Sequence, residues 1–325
     1  MKTKKPDIFL GITMCMLVLA AVLCILILKS QKKSNEATTT EPPQLASTEN
    51  TNPYPGGTDT PVHTDVVPST EAPVQPKDLN PIDDAKLKDA LDDSLRGLTS
   101  EWEVMVIDPA FNTKVGSAVN CGVDDWMTAN RMSQVFIMGT VFQMAEDGTL
   151  DLASVLDDVK AMMNNDDTYA ADRLTETIGS GDASKGREAV KSFAVANGLQ
   201  LGFNRSLSGS GSQKNYARAD YTAEILNMIC RGELVSADAS RQMLEILLTP
   251  PVDVFEIDPG LVGDDVKYGF VVDVESNTCV CTMGVVQNAN RSFVFSIICN
   301  EPVTIEGAKN KAIELITLTA PYFAE

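Results

Sequence analysis

The chain has 325 residues, with 26 basic against 45 acidic side chains, a net charge of −19 and one histidine. That acidic balance argues against nucleic acid or an anionic surface as a partner, because like charges repel. The histidine is His63, near the start of the chain. Everything beyond it therefore lacks the imidazole that Ser-His-Asp catalysis, Cys-His catalysis and the usual zinc hydrolase site require.

Residues 1–7 read as a short cytoplasmic tail. Residues 8–28 carry no charge, Pro, Asn or Gln. As a helix this run is about 31 Å long at ~1.5 Å per residue, enough to cross a hydrocarbon core of ~30 Å. A cleaved signal peptide would have a shorter apolar stretch ending in small residues. This one ends in Ile25-Leu26-Ile27-Leu28-Lys29 and is expected to remain as a single-pass anchor. Lys2, Lys4 and Lys5 precede it and Lys29, Lys32 and Lys33 follow, so flanking charge alone does not orient it. Residues 29–80 are rich in Ser, Thr, Pro, Asn and Gln and lack apolar clusters. They cannot bury enough surface to offset ordering entropy and read as a disordered stalk. A stalk that lifts a domain off the membrane places residues 81–325, the globular domain, outside the cell.

Within that domain, Leu87, Ala90, Leu91 and Leu95 share one face of an expected helix over 83–97. Alternation of Trp102, Val104 and Val106 predicts a strand over 101–107, with a turn at Asp108-Pro109-Ala110-Phe111-Asn112 and a hairpin partner over 113–119. Helices are expected at about 130–146, 152–163, 168–178, 185–197, 220–231 and 238–248. Gly148 closes the first and Asp151 caps the next. Residues 202–215 form a Ser/Gly-dense loop. Strands follow over 265–274, 278–287 and 292–299, then a last helix over 305–323. The order gives an α+β fold: a five-stranded antiparallel sheet flanked by the terminal helices, plus an all-helical subdomain.

Cysteines at 121, 230, 279, 281 and 299 remain after the two in the apolar run. Five is odd and no C-x-x-C occurs, so no zinc site and no full disulfide set is indicated. Cys230 reads as a core residue; one disulfide among Cys279, Cys281 and Cys299 stays open. Neither a cofactor nor a metal ion is expected, and the pairs Asp124-Asp125 and Asp157-Asp158 read as solvated faces.

Several segments, in order and spacing, resemble the class A β-lactamases and the wider penicillin-recognising serine hydrolases. Val141 to Leu150, with Gly148, resembles the end of the family's nucleophile helix. Ala170 to Gly179 resembles the helix after its S-D-N motif. Arg231-Gly232-Glu233-Leu234 to Ser240-Arg241-Gln242 resembles a further helix pair. Lys267-Tyr268-Gly269 is similar to its K-T-G strand. The likeness covers nearly all of residues 83–323.

The resemblance implies a Ser-x-x-Lys pair, in which a lysine one turn along the helix takes the serine proton. Counting back from Gly148 puts Arg131 at the nucleophile position and Gln134 at the lysine position. Arginine cannot attack and glutamine is not a base. Ser133 is the fallback nucleophile, but Phe136 stands three residues on. Asp166-Asp167-Thr168 falls at S-D-N without its serine; the plain alternative for these aspartates is helix capping. Lys267, Tyr268, Gly269 and the adjoining Phe270 would form the ligand-binding edge; the alternative for Lys267 is an ordinary exposed lysine.

The expected function is a catalytically inactive, membrane-anchored, extracytoplasmic binding or regulatory domain. Peptidoglycan fragments, β-lactam-like ligands or an envelope protein would be its partners. The alternative is an active serine hydrolase with rearranged residues: a β-lactamase, carboxypeptidase or esterase.

Overall fold

The structure is a computed structural model that describes residues 79–209, 213–249, 267–275, 278–288 and 291–323. These lie within one compact unit, Thr70–Glu325. The expected anchor over 8–28 and most of the expected stalk lie outside the described residues. Among the described residues no helix is long and apolar enough to cross a membrane.

The elements run α1 (Asp84–Leu95), β1 (Glu101–Asp108), β2 (Thr113–Val119), β3 (Met127–Thr128), α2 (Ser133–Glu146), α3 (Leu156–Asn164), α4 (Thr168–Ile178), α5 (Ala183–Ala196), β4 (Tyr216–Ala217), α6 (Ala219–Cys230), α7 (Ala237–Leu247), β5 (Lys267–Glu275), β6 (Cys279–Gln287), β7 (Ser292–Asn300) and α8 (Ile305–Thr319). Short 3-10 turns span Leu152–Ser154 and Ala320–Phe323.

Capping chemistry accounts for many of the helix starts. Asp83, Asp167, Asp182, Ser236 and Thr304 each accept a hydrogen bond from a backbone N–H in the first turn that follows. Gly148 adopts φ 67° just past α2, the left-handed conformation that glycine takes without a Cβ penalty. The expected helix over 152–163 is divided: Asp151 caps the 3-10 turn, and α3 starts afresh at Leu156.

The main sheet has the order β2-β1-β7-β6-β5 and is antiparallel throughout. The last strand of the chain thus sits beside the first, and β5 forms one edge. Side chains alternate across the sheet, so the two faces enter different cores. Leu87, Leu91 and Leu95 of α1 and Ala308, Ala312 and Leu315 of α8 pack on one face with Phe270, Phe293 and Phe295. The other face, with Val271, Cys281, Met283 and Val285, packs against the helical cluster. There α2 is buried on every side from Ser133 to Phe142, as a central helix must be. Nearby, α4 and α5 touch through Gly186, where a Cβ would lie 1.8 Å from the Thr175 carbonyl oxygen. The separate β3–β4 ribbon pairs Met127 with Ala217 and leads directly into α2.

All five cysteines of the domain are free thiols. Cys299 faces the terminal-helix core while Cys279 and Cys281 face the helical cluster, so the sheet itself keeps Cys299 from pairing with either.

Candidate functional site

Arg131 and Gln134, which the resemblance puts at the nucleophile and lysine positions, both meet Asp166, which it puts at the S-D-N position. Arg131 precedes α2, and its Nη1 pairs with Asp166 Oδ2. Gln134, one turn on, donates from Nε2 to Asp166 Oδ1 at 3.2 Å. Two side chains spaced three residues apart therefore converge on one carboxylate. Asp166 stands in the turn between α3 and α4 at φ 54°, a left-handed conformation that aspartate tolerates better than most residues. Its neighbour Asp167 does not join the cluster. It caps α4 by accepting from Tyr169 N at 2.9 Å and Ala170 N at 3.1 Å, and Thr168 is the first residue of that helix.

The third wall is Asp273 of β5, fully buried. Its Oδ2 accepts from the backbone N–H of Asn130 and, at 3.1 Å, from that of Arg131. Arg131 Nε lies 3.9 Å from its Oδ1. Burial pushes the Asp273 pKa up, while the backbone N–H of Arg131 and the Arg131 charge pull it back. The contact lies just ahead of α2, which begins at Ser133 rather than near 130. The helix has no side-chain cap of its own, and the amides ahead of it are taken by a carboxylate from the sheet.

Ser133 is fully buried and its hydroxyl donates to the Asn130 carbonyl at 2.9 Å. Among the described residues no basic side chain is hydrogen-bonded to it. A hydroxyl held this way is a helix-entry hydrogen bond, and it does not present a nucleophile to solvent.

Asn130 extends the cluster on its other side. Its Oδ1 accepts from Asn215 Nδ2 at 2.6 Å, and Asn215 Oδ1 accepts from the amides of Asn204 and Arg205 at 2.7 and 2.9 Å. Arg205 pairs with Glu275 at the far end of β5 and donates to the Gly209 carbonyl at 3.0 Å. The amides of Leu207 and Ser208 donate to Asp172 of α4. The described parts of the expected Ser/Gly loop are thus fastened to the helix cluster, the sheet and the α2 entrance together.

The sequence motif Lys267-Tyr268-Gly269 lies elsewhere. Lys267 is exposed and sits six residues from Asp273, about 20 Å along a strand at ~3.3 Å per residue. Tyr268 stacks on Phe270 with ring centroids 5.2 Å apart, and Phe270 is buried against Phe295 in the terminal-helix core. Gly269 faces α7, where a Cβ would come 1.4 Å from the Leu247 carbonyl oxygen. Its missing side chain admits a helix end, which corrects the expectation that it opens the strand to a ligand.

Asp273, Asn130, Asn215 and the Arg205–Glu275 pair were not singled out from sequence. Only Asp273 left a signal: a carboxylate two residues from Val271 on an inward-facing register. A groove of about 440 Å³ flanks the β3–β4 ribbon, lined by Trp126, Lys191, Val195, Gln200, Leu201, Gly202 and Tyr216.

A family model described as the beta-lactamase enzyme family matches residues 153–320, just over half of the chain. The match includes Asp166 and Asp273 but begins after α2. Among solved structures, an ancestral class A β-lactamase is similar at 15% identity with a TM-score of 0.61, over 72% of this chain and 99% of that one. A β-lactamase from Sphaerobacter thermophilus aligns at 14% identity and TM-score 0.60, over 73% and 95%. The TLA-1 extended-spectrum β-lactamase aligns at 14% and 0.61, over 73% and 98%. At these identities the likeness establishes the fold. No curated protein matches the sequence.

Proposed function

The chain belongs to the beta-lactamase enzyme family, and on that premise we propose that it is a non-catalytic member, acting as a binding or regulatory domain outside a cell membrane. The observation that carries this is the Arg131–Gln134–Asp166 cluster. Where the family resemblance calls for a nucleophile, its lysine base and a serine shuttle, this chain has an ion pair braced by an amide. Groups of that kind act as a unit, so replacing all three leaves little covalent catalysis. The buried, internally bonded Ser133 supports the same reading, because it offers no replacement nucleophile.

Tethering completes the proposal. The apolar run 8–28 would anchor the chain, and the polar segment after it would act as a tether with a root-mean-square reach of about 35–40 Å if random-coil. The domain would then work within the envelope close to the membrane. Peptidoglycan fragments, β-lactam-like compounds or an envelope protein are the partner classes.

The test is labelling of the full-length chain with a fluorescent penicillin. No stable adduct is expected. A covalent adduct mapped to Ser133, or turnover of the drug, would overturn the proposal in favour of a serine hydrolase with rearranged residues.

A further inference from the structure

Beneath Arg131 the sheet brings two thiols and a carboxylate together. Asp273 and Cys281 are direct cross-strand partners on β5 and β6, and Cys279, two residues before Cys281, shares its face. One ligand atom from each lies within 4.8 Å of the other two, and all three residues are fully buried. Cys279 Sγ is 3.8 Å from Asp273 Oδ2, and Cys281 Sγ is 3.5 Å from the Thr128 carbonyl oxygen. Asp273 Oδ1 is buried and has no hydrogen-bond partner among the described residues. A buried acceptor left unbonded costs its full desolvation, so such an atom calls for an explanation.

We propose that Asp273, Cys279 and Cys281 form a closed binding site for one zinc ion, with the Thr128 carbonyl oxygen positioned as a fourth donor. Two thiolates favour a soft or borderline metal over magnesium or calcium. Tetrahedral zinc with Zn–S bonds of ~2.3 Å holds two thiolates about 3.8 Å apart, so the present cluster needs a contraction of about 1 Å or less. Zinc with two thiolates and one carboxylate carries a net −1, which the Arg131 guanidinium, 3.9 Å from Asp273 Oδ1 and shared with Asp166, offsets in part. Binding forms two Zn–S bonds and two Zn–O bonds, to Asp273 and the Thr128 carbonyl, in place of the ion's water ligands, and releases to solvent those waters, the two thiol protons and any proton on Asp273. No electron moves.

The role of such a site follows from what Asp273 already does. Its Oδ2 holds the amides of Asn130 and Arg131 at the entrance to α2. A metal on the Asp273 carboxylate would fix that group and, through it, the approach to α2. Burial leaves no open coordination position, so the site would be structural and not hydrolytic. The absence of C-x-x-C misses this arrangement, because one ligand comes from the neighbouring strand.

The test is titration of chelator-treated full-length chain with cobalt(II). A sulfur-to-cobalt charge-transfer band should saturate at one equivalent, and zinc should abolish it by displacement. Cys279→Ser and Cys281→Ser should each lose the band, and Cys230→Ser, outside the cluster, should keep it. No band with the unmutated chain, or a band that survives the double Cys279→Ser/Cys281→Ser variant, overturns the proposal. Should the serine variants not fold, mass-mapped alkylation of the unmutated chain decides. Protection of Cys279 and Cys281 by zinc supports the site, and equal modification with and without zinc overturns it.

Discussion

Arg131 and Asp166 form an ion pair that ties the entrance of α2 to the turn before α4. The two side chains remain 30% and 28% exposed, so water screens them and the pair contributes less than a buried one. A double-mutant cycle of Arg131→Ala and Asp166→Ala should return a coupling of about 1 kcal/mol by urea denaturation. Each single variant should cost ~1–2 kcal/mol, because Arg131 also faces buried Asp273. A coupling of zero would mean that the contact is incidental and would weaken the view that it replaces a catalytic array.

A second ion pair lies in a different environment. Arg291, in the β6–β7 turn, pairs with Asp108 at the end of β1, with side-chain exposures of 3% and 0%. Its guanidinium also lies 5.5 Å from the Phe111 ring centroid and 5.3 Å from that of Phe323. Removing one partner strands a buried charge. Arg291→Ala should therefore destabilise by about 3–5 kcal/mol, and added salt should change this little. Arg291→Met with Asp108→Asn should recover much of the loss, since neither residue is then charged. Chemical denaturation at two salt concentrations checks both statements.

Those two pairs also mark where sequence reading stops. The alternation of Trp102, Val104 and Val106 located β1, and glycine at 148 located the stop of α2, because periods and stop signals are local. The placement of β7 beside β1 is not local, and no period encodes it. The start of α2 is non-local for the same reason: the amides of Asn130 and Arg131 just ahead of it are held by Asp273, which enters from a strand more than a hundred residues later. The Lys267-Tyr268-Gly269 triplet shows the opposite error. Three residues matched a motif, but strand register puts them at the far end of β5 from Arg131. Arg131, Gln134 and Asp166 stand out in the sequence because both flanking helices can be placed in the chain, but their convergence on one carboxylate is not local and does not.

Gly269 gives a direct test of that register. If its role is to admit the end of α7, Gly269→Ala forces a Cβ into the Leu247 carbonyl. The helix end must move, at a cost of about 1–3 kcal/mol or more, the range for overpacking. A ligand-facing glycine at an open strand edge would tolerate alanine with almost no change in stability. Comparing thermal midpoints of Gly269→Ala and a control, Gly97→Ala, is not sufficient, because Gly97 is at φ 82° and is itself strained. Gly116 is the milder comparison, since there only the flexible end of Met105 stands 3.0 Å from a new Cβ and can yield. Gly269→Ala should lower the midpoint more than Gly116→Ala.

Glu103 should give the fold a pH response. It is buried on β1, and its Oε2 accepts from Ala219 N at 2.9 Å while Oε1 has no hydrogen-bond partner. Burial pushes its pKa up to about 8 from a model-peptide value of 4.5, against the pull of the Ala219 amide. The folded state therefore holds a proton between those two values that the unfolded chain has released. Stability contributed by this group is fully present at and below pH 4.5, declines as pH rises from 4.5 to 8, and is flat above. At pH 7 the loss is about 3 kcal/mol, taking ~1.4 kcal/mol per pH unit. Glu103→Gln keeps an acceptor for Ala219 and cannot ionise. It should remove that slope and be more stable than the unmutated chain at pH 8 but not at pH 4.5. Urea midpoints measured across this pH range decide it. A slope that persists unchanged in Glu103→Gln would assign the titration to another group, with Asp273, whose pKa burial also raises, as the first to examine.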